Sequence, residues 1–376
     1  MIYFDNAATT SVRDEAISAM LRVMQDKYGN PSSMHLMGRR AASELSAARY
    51  SVATAMGAGA DEVFFTSGGT ESANWAVFGM AELRSHRKKH IITSAIEHDA
   101  VFNCFKRLEN KGWSVTYLEP DSAGRITAEC FADALSEDTA FASVMLVNNE
   151  TGAINPVGEY SDAIKRRGLK TLLHTDAVQG FCKIPFTIKS LGVDLLTVSA
   201  HKFHGPKGVG GLYIRKGLNI APQLLGGGQE SGKRAGTEAM PLVAGFGEAA
   251  RLGLIEMKET SERVRKLREF LTNRLAETLP EAKIIGEGDS PYVLTVSLPG
   301  YKAEILMSYL DGEGICVSKS AACKKGARSR TLENMRLSNE IIDGAIRVSF
   351  SRDNAIEEVE ELIQALKRAA ETIIRI

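Results

Sequence analysis

Five residues of chemically competent type, Thr70, His98, Asn149, Asp176 and Lys202, each stand just beyond a short apolar run. Lys202 ends Leu195-Leu196-Thr197-Val198-Ser199-Ala200-His201-Lys202, and the Gly- and Pro-containing run that follows, from Phe203 to Gly208, cannot be helix. An amine at such a strand end is desolvated, its pKa falls and it becomes a nucleophile toward an aldehyde. Asp176, in His174-Thr175-Asp176-Ala177-Val178-Gln179, follows an apolar strand directly, so it is expected to be buried and to need a cation; Gln179 can reach the same place. His98, in Glu97-His98-Asp99, can stack on a flat ring and relay protons near neutral pH. Asn148-Asn149 offers amide donors to a phenolate or a carboxylate. In Ser67-Gly68-Gly69-Thr70-Glu71, a turn leading into a helix, Gly68 and Gly69 let backbone N–H groups close on an anion, and the Thr70 hydroxyl can donate to a phosphate.

Taken singly, each of these is also an ordinary loop, cap or turn. Together they supply an amine for an aldehyde, an acid for a ring nitrogen, a ring to stack and an anion cup, which is the set that pyridoxal phosphate asks of a protein. The glycine turn matches neither GxGxxG nor GxxxxGK[ST], so a dinucleotide or a P-loop is not indicated.

The elements that must position them alternate. From Val63 onward short strands at 63–66, 90–94, 114–118, 142–147, 171–175 and 195–199 are separated by helices at 72–83, 100–111, 127–135 and 159–167. This predicts a mostly parallel, doubly wound α/β sheet whose strand ends bring the five residues to one edge. Helices at 14–27 and 39–56 precede it, Gly226-Gly227-Gly228-Gln229-Glu230-Ser231-Gly232 reads as a mobile polar loop, and a long helix spans 240–279. Strands at 292–298, 315–317 and 346–350, with helices at 303–312 and 356–374, make a smaller α/β unit. The expected division is a segment 1–14 packing with the small unit, a large domain 15–255 and a small C-terminal domain 256–376.

With 376 residues, 44% apolar and 24% charged, the composition is that of a globular two-domain chain. Lys plus Arg equals Asp plus Glu at 46 each, which argues against nucleic acid as a partner, and no stretch reads as a membrane span or signal peptide. Five scattered cysteines without CxxC argue against a disulfide framework or a metal site and fit a cytoplasmic setting.

The chain resembles the cysteine desulfurases of the class V aminotransferase group, NifS-like and IscS-like pyridoxal-phosphate enzymes of fold type I. The resemblance rests on Asp5-Asn6-Ala7-Ala8-Thr9-Thr10, Gly29-Asn30-Pro31-Ser32-Ser33, Thr66-Ser67-Gly68-Gly69-Thr70-Glu71-Ser72, Glu97-His98, Asn148-Asn149-Glu150-Thr151-Gly152, His174-Thr175-Asp176-Ala177-Val178-Gln179, Ser199-Ala200-His201-Lys202, Gly226-Gly227-Gly228-Gln229-Glu230, Arg234-Ala235-Gly236-Thr237 and Ile346-Arg347-Val348-Ser349. It implies Lys202 as the Schiff-base lysine, Asp176 at the pyridine nitrogen, His98 against the ring, and Gln179 and Asn149 near the phenolic oxygen. Gly69, Thr70, Ser199 and His201 would bind the phosphate, joined by Thr237 of the other subunit of a homodimer. Asn6, Asn149 and Arg347 would hold the carboxylate of L-cysteine. Cys323, in Ser318-Lys319-Ser320-Ala321-Ala322-Cys323, falls on the position of the sulfur-accepting nucleophile, with Lys319, Lys324, Lys325 and Arg328 expected to lower its pKa.

The implied reaction removes sulfur from L-cysteine, gives L-alanine and leaves a Cys323 persulfide for a protein acceptor. Within the same group, selenocysteine lyase, cysteine sulfinate desulfinase and aminotransferase activities are alternatives, as is a cofactor-binding partner platform. The chain departs from the family where Ser-Ala-Ala-Cys replaces Gly-Ser-Ala-Cys. The stretch 324–335 also lacks the usual Leu-Glu-Pro-Ser, and the C-terminal tail that IscS-like members use to meet their scaffold is expected to be missing.

Overall fold

The structure is a computed structural model that describes residues 1–85, 89–319 and 328–375. Its first part runs β1 (Ile2–Tyr3), α1 (Asp14–Asp26), α2 (Leu36–Met56), β2 (Val63–Thr66), α3 (Gly69–Arg84), β3 (His90–Ser94), α4 (Asp99–Glu109), β4 (Ser114–Leu118), α5 (Ala128–Ala134), β5 (Thr139–Ser143), α6 (Val157–Arg166), β6 (Leu172–Asp176), α7 (Ile188–Leu191), β7 (Leu195–Ser199) and β8 (Gly210–Ile214). Then come α8 (Met240–Thr278), β9 (Lys283–Ile285), β10 (Val293–Ser297), α9 (Ala303–Gly312), β11 (Ile315–Cys316), β12 (Ser318–Lys319), α10 (Arg330–Asn334), α11 (Asn339–Asp343), β13 (Ala345–Ser349) and α12 (Ile356–Thr372).

Seven strands form one sheet in the order β2-β8-β7-β6-β5-β3-β4, with β8 alone antiparallel to its neighbours. Successive residues of its strands point to opposite faces. Phe65, Ile92, Ala142, Leu173 and Leu196 enter one core with α2 and α8, while Phe64, Ile91, Phe141, Leu172 and Leu195 enter another with α3 and α4. Both faces are therefore covered, which is why β5, β6 and β7 are buried along their whole length. The six parallel strands all end on one edge, so the convergence expected of Thr70, His98, Asn149, Asp176 and Lys202 is found.

A second sheet, β12-β13-β10-β9, packs with α9, α12 and the later half of α8 around its own core. Helix α8 serves both cores: Val243, Phe246 and Ala249 lie in the first, Val264, Leu267 and Leu271 in the second. The first residues of the chain, Ile2, Phe4 and Ala7, pack in the core of the second sheet, whereas the N–H groups of Thr10 and Arg13 donate to the carbonyls of His201 and His204. Ile2 and Tyr3 pair in parallel with Ile315 and Cys316, and Phe4 packs edge-on against Phe350 with ring centroids 5.6 Å apart. No helix among the described residues is long and apolar enough to cross a membrane.

Two expectations are corrected. The strand placed at 142–147 lies at Thr139–Ser143; the apolar stretch beyond it follows β6 through isolated bonds, such as Leu146 N–H to Asp176 O at 2.9 Å, outside the regular ladder. The polar loop at 226–232 is pinned rather than loose. Glu230 is buried, its carboxylate accepts from both terminal nitrogens of Arg49 at 2.6 and 2.7 Å, and it also accepts from Phe65 N–H at 2.8 Å. A buried carboxylate so fully paired fixes the backbone around it.

Candidate active site

The strand ends enclose a cavity of about 640 Å³ whose wall includes Gly69, Thr70, His98, Asn149, Asp176, Gln179, Ser199, His201, Lys202 and Arg347. Asp176 is the last residue of β6, and Ser199 the last of β7. Lys202 follows one helical turn on, and its Nζ donates to the carbonyls of Ala7 at 2.7 Å and Ala8 at 2.8 Å. Gln179 Nε2 donates to the same Ala7 carbonyl at 2.8 Å, while its Oε1 accepts from buried Lys183 at 3.2 Å. His98 is the N-cap of α4, and its Nδ1 accepts from Ala100 N–H at 3.1 Å. That bond assigns the ring proton to Nε2.

The anion cup is built by backbone shape. Gly68 sits at φ 153°, ψ −178°, a conformation open to glycine alone. A Cβ on Gly69 would stand 3.1 Å from Val178 and 3.4 Å from Ser199, so glycine keeps the mouth of the cup open. Helix α3 starts there and directs its first N–H groups outward.

Burial dominates the electrostatics. It pushes the Asp176 carboxyl up, against the opposing pull of His98, the Val178 N–H and Lys202. It pushes His98 down, with Asp176 opposing and Lys202 assisting, and His201 down to about 4. Lys183 behind Gln179 is brought to about 7 by burial and by Lys202 and Arg347. Glu97 is raised to about 8, also by burial; its Oε1 accepts from Ser94 Oγ at 2.5 Å and Met145 N–H at 2.8 Å, and its Oε2 has no partner among the described residues. Arg347 donates to Asn149 O at 3.0 Å and to Asp5 at 2.9 Å, and its Nε, also buried, has no partner among the described residues.

Not every expected residue reaches the cavity. Asn6 is buried beside it, with its amide nitrogen committed to Ser349 O at 2.9 Å, Tyr3 O at 3.2 Å and Asn354 Oδ1 at 3.3 Å. Its neighbours Ala7 and Ala8 form the wall in its place. Thr237 is exposed just before α8 and does not line this chain's own cavity. Cys323, with Lys324 and Lys325, lies outside the described residues. Of the other cations expected to act on it, Lys319 is paired to Glu304 at 2.5 Å and Arg328 to Asp343 at 2.9 Å, so both charges are already answered. Sequence reasoning missed Glu97, Glu150 and Arg330 on the wall. Only the adjacency of Glu97 to His98 and of Glu150 to Asn149 could have drawn notice to the first two.

These residues fit pyridoxal phosphate on the chemistry of the donors. A buried carboxylate on the cavity wall with its pKa raised calls for a cation such as a protonated ring nitrogen. An amine, a neutral imidazole and a glycine-opened helix start stand on the same wall. The family model for class-V aminotransferases matches residues 2–362. The cysteine desulfurase IscS of Methanosarcina thermophila is 39% identical over 369 residues, covering 97% of this chain and 91% of that one. A solved NifS-like protein is 40% identical, covers 99% of this chain and 100% of its own, and superposes with a TM-score of 0.94. The structure described as SspA in complex with cysteine is 30% identical, covers 94% and 100%, and has a TM-score of 0.82. With its own strand-end site and full-length likeness, the chain belongs to the class-V aminotransferase family.

Proposed function

We propose that the chain is a pyridoxal-phosphate-dependent cysteine desulfurase that converts L-cysteine to L-alanine and passes the sulfur to Cys323. The observation that carries this is the joint placement of Lys202, buried Asp176 and His98 on one cavity wall with Arg347, together with full-length relatives named for that activity. When bound, pyridoxal phosphate supplies an aldehyde for an amino group and a ring that accepts electrons. Lys202 would hold the aldehyde carbon, Asp176 the ring nitrogen, and Gly69, Thr70, Ser199 and His201 the phosphate.

The chain's own residues account for the rest. Lys202 Nζ takes the substrate α-proton, and the carbonyls of Ala7 and Ala8 orient that amine. His98 is held neutral by burial and keeps a proton on Nε2 to give or take. Arg347 on the cavity wall would receive the substrate carboxylate, and Asn149, whose carbonyl it holds, stands beside it. The Cys323 thiolate bonds to the substrate sulfur as the C–S bond breaks. The electron pair stays with the three-carbon fragment, and a proton quenches it.

Arg328 and Arg330 also line the cavity, and free guanidinium groups there would favour a more anionic substrate such as cysteine sulfinate. Both are engaged by protein acceptors, so cysteine is the better fit. The site is completed by a second copy of the chain through Thr237. Exposed Thr237 and the exposed apolar side chains Met34 (93%) and Leu225 (84%) support a homodimer. The thiols Cys104, Cys130, Cys182 and Cys316 support a reducing, cytoplasmic setting. A protein acceptor, as in iron–sulfur cluster assembly, would take the sulfur on.

The test is incubation of the holoenzyme with L-cysteine, with assays for alanine, for protein persulfide and for the cofactor's visible absorbance. Cys323→Ser is expected to keep the absorbance and lose persulfide and turnover, whereas Lys202→Ala loses both the imine absorbance and turnover. Full turnover by Cys323→Ser would overturn the sulfur-transfer role. Parallel turnover on selenocysteine and cysteine sulfinate separates the desulfurase from its nearest alternatives.

A further inference from the structure

We infer that Arg330 is a positioning residue for His98, gripping the loop that presents the imidazole from the opposite side of the cavity. Arg330 opens α10, whose Leu332 packs with Ile285, Met335, Ile342 and Ala345 beside the small sheet. Its side chain leaves that cluster and reaches the end of β3. Nε donates to Ala95 O at 3.0 Å, Nη2 donates to Glu97 O, and Nη1 donates to Asp99 Oδ1 at 2.9 Å. The guanidinium carbon lies 3.6 Å from the centroid of Phe102, one turn into α4. One rigid fork thus holds the residues immediately before and after His98, together with the ring that follows it. Planar guanidinium geometry fixes orientation in a way a single ammonium does not.

The flanking residues complete a staple. Ser329 Oγ donates to Glu150 Oε2, and Thr331 Oγ1 donates to Glu150 Oε1 at 2.8 Å. Glu150 follows Asn149, whose carbonyl is held by Arg347. Ser329-Arg330-Thr331 therefore ties two strand-end loops, one after β3 and one after β5, to a single helix start. The tripeptide lies in the stretch 324–335, where the chain departs from the family's Leu-Glu-Pro-Ser. Arg330 is not a substrate receptor, because all three of its guanidinium nitrogens donate to the wall.

The inference rests on the pyridoxal-phosphate site and not on cysteine as the substrate. The test compares Arg330→Gln, Asp99→Asn, His98→Ala and the Arg330→Gln/His98→Ala double variant as holoenzymes. Visible circular dichroism of the bound cofactor is read beside kcat, KM and Tm. Arg330→Gln is expected to change the dichroism and to lower kcat about tenfold or more with KM within about threefold, and to add less than about twofold when His98 is already alanine. Asp99→Asn is expected to move the dichroism in the same direction by a smaller amount. Independent, multiplying losses in the double variant would overturn the inference. So would an Arg330→Gln protein with wild-type dichroism and kcat and only a lower Tm. Should Arg330→Gln fail to fold, Arg330→Lys carries the same comparison, and additivity with His98→Ala again overturns it. The dichroism arm reads out even if cysteine yields no alanine, so failure of the desulfurase reading is distinguishable from failure of this one.

Discussion

Glu97 shows how a single residue's environment sets its charge. The side chain is buried, one oxygen accepts two hydrogen bonds and the other accepts none from the described residues. Burial raises its pKa from 4.5 to about 8, so between those pH values the folded chain holds a proton that the unfolded chain has released. Stability from this group is complete below pH 4.5 and is lost as pH rises toward 8. Glu97→Gln, which keeps an acceptor for Ser94 and Met145 and carries no charge, is expected to raise Tm at pH 8 relative to wild type and to change it little at pH 5. Thermal melts of both proteins across that range check this, and parallel curves would sink it. His201 works with the opposite slope. Its pKa falls from 6.5 to about 4, so the unfolded chain takes up a proton first and stability declines as pH falls through that window. The residues at strand ends were legible in the sequence because an apolar run that stops at Asp, His or Lys announces itself. Arg330 was not legible, since nothing local reveals that a guanidinium will cross to a loop some 230 residues earlier.

At the scale of elements, the glycine turn into α3 is where backbone conformation becomes function. Gly68 holds a φ of 153° that other residues reach only with strain of about 1–3 kcal/mol. Gly68→Ala is expected to lower Tm by a few degrees and to weaken pyridoxal-phosphate affinity more than it lowers kcat at saturating cofactor. Cofactor titration of the apoenzyme with a parallel melt measures both, and unchanged affinity would count against the anion cup. The βα alternation was readable because strands covered on both faces place consecutive apolar residues side by side, as Leu172-Leu173 of β6 and Leu195-Leu196 of β7 do. The short elements were not. β1, β9 and β12 have two or three residues each, too few to show a period, and β1 owes its existence to β11 at the far end of the chain. Glu230 likewise looked like a solvated loop residue, because its partner Arg49 lies 181 positions away.

The whole molecule proposed here is a pair of chains, and pairing can be tested through the site itself. Lys202→Ala and Thr237→Ala chains, each defective alone, are expected to regain activity when mixed and refolded together. One site of the mixed dimer would then take Lys202 from one chain and Thr237 from the other. Absence of recovery in a mixture shown to contain mixed dimers would place Thr237 outside the partner's site. Within one chain, the feature with the widest reach is the N-terminal segment. Residues 2–5 pair with Ile315, Cys316 and Ser349, and the next residues supply the carbonyls that hold Lys202 and Gln179. A ribosome adding about 5–20 residues per second needs roughly 7–27 s to pass from Ile214, the end of β8, to Ser349. For that interval the nascent seven-stranded sheet carries Asp176 and Lys202 without the carbonyls that orient the amine. A chain truncated before Ser349 is therefore expected to hold pyridoxal phosphate less securely than the full chain, which gel filtration of both proteins after loading would show.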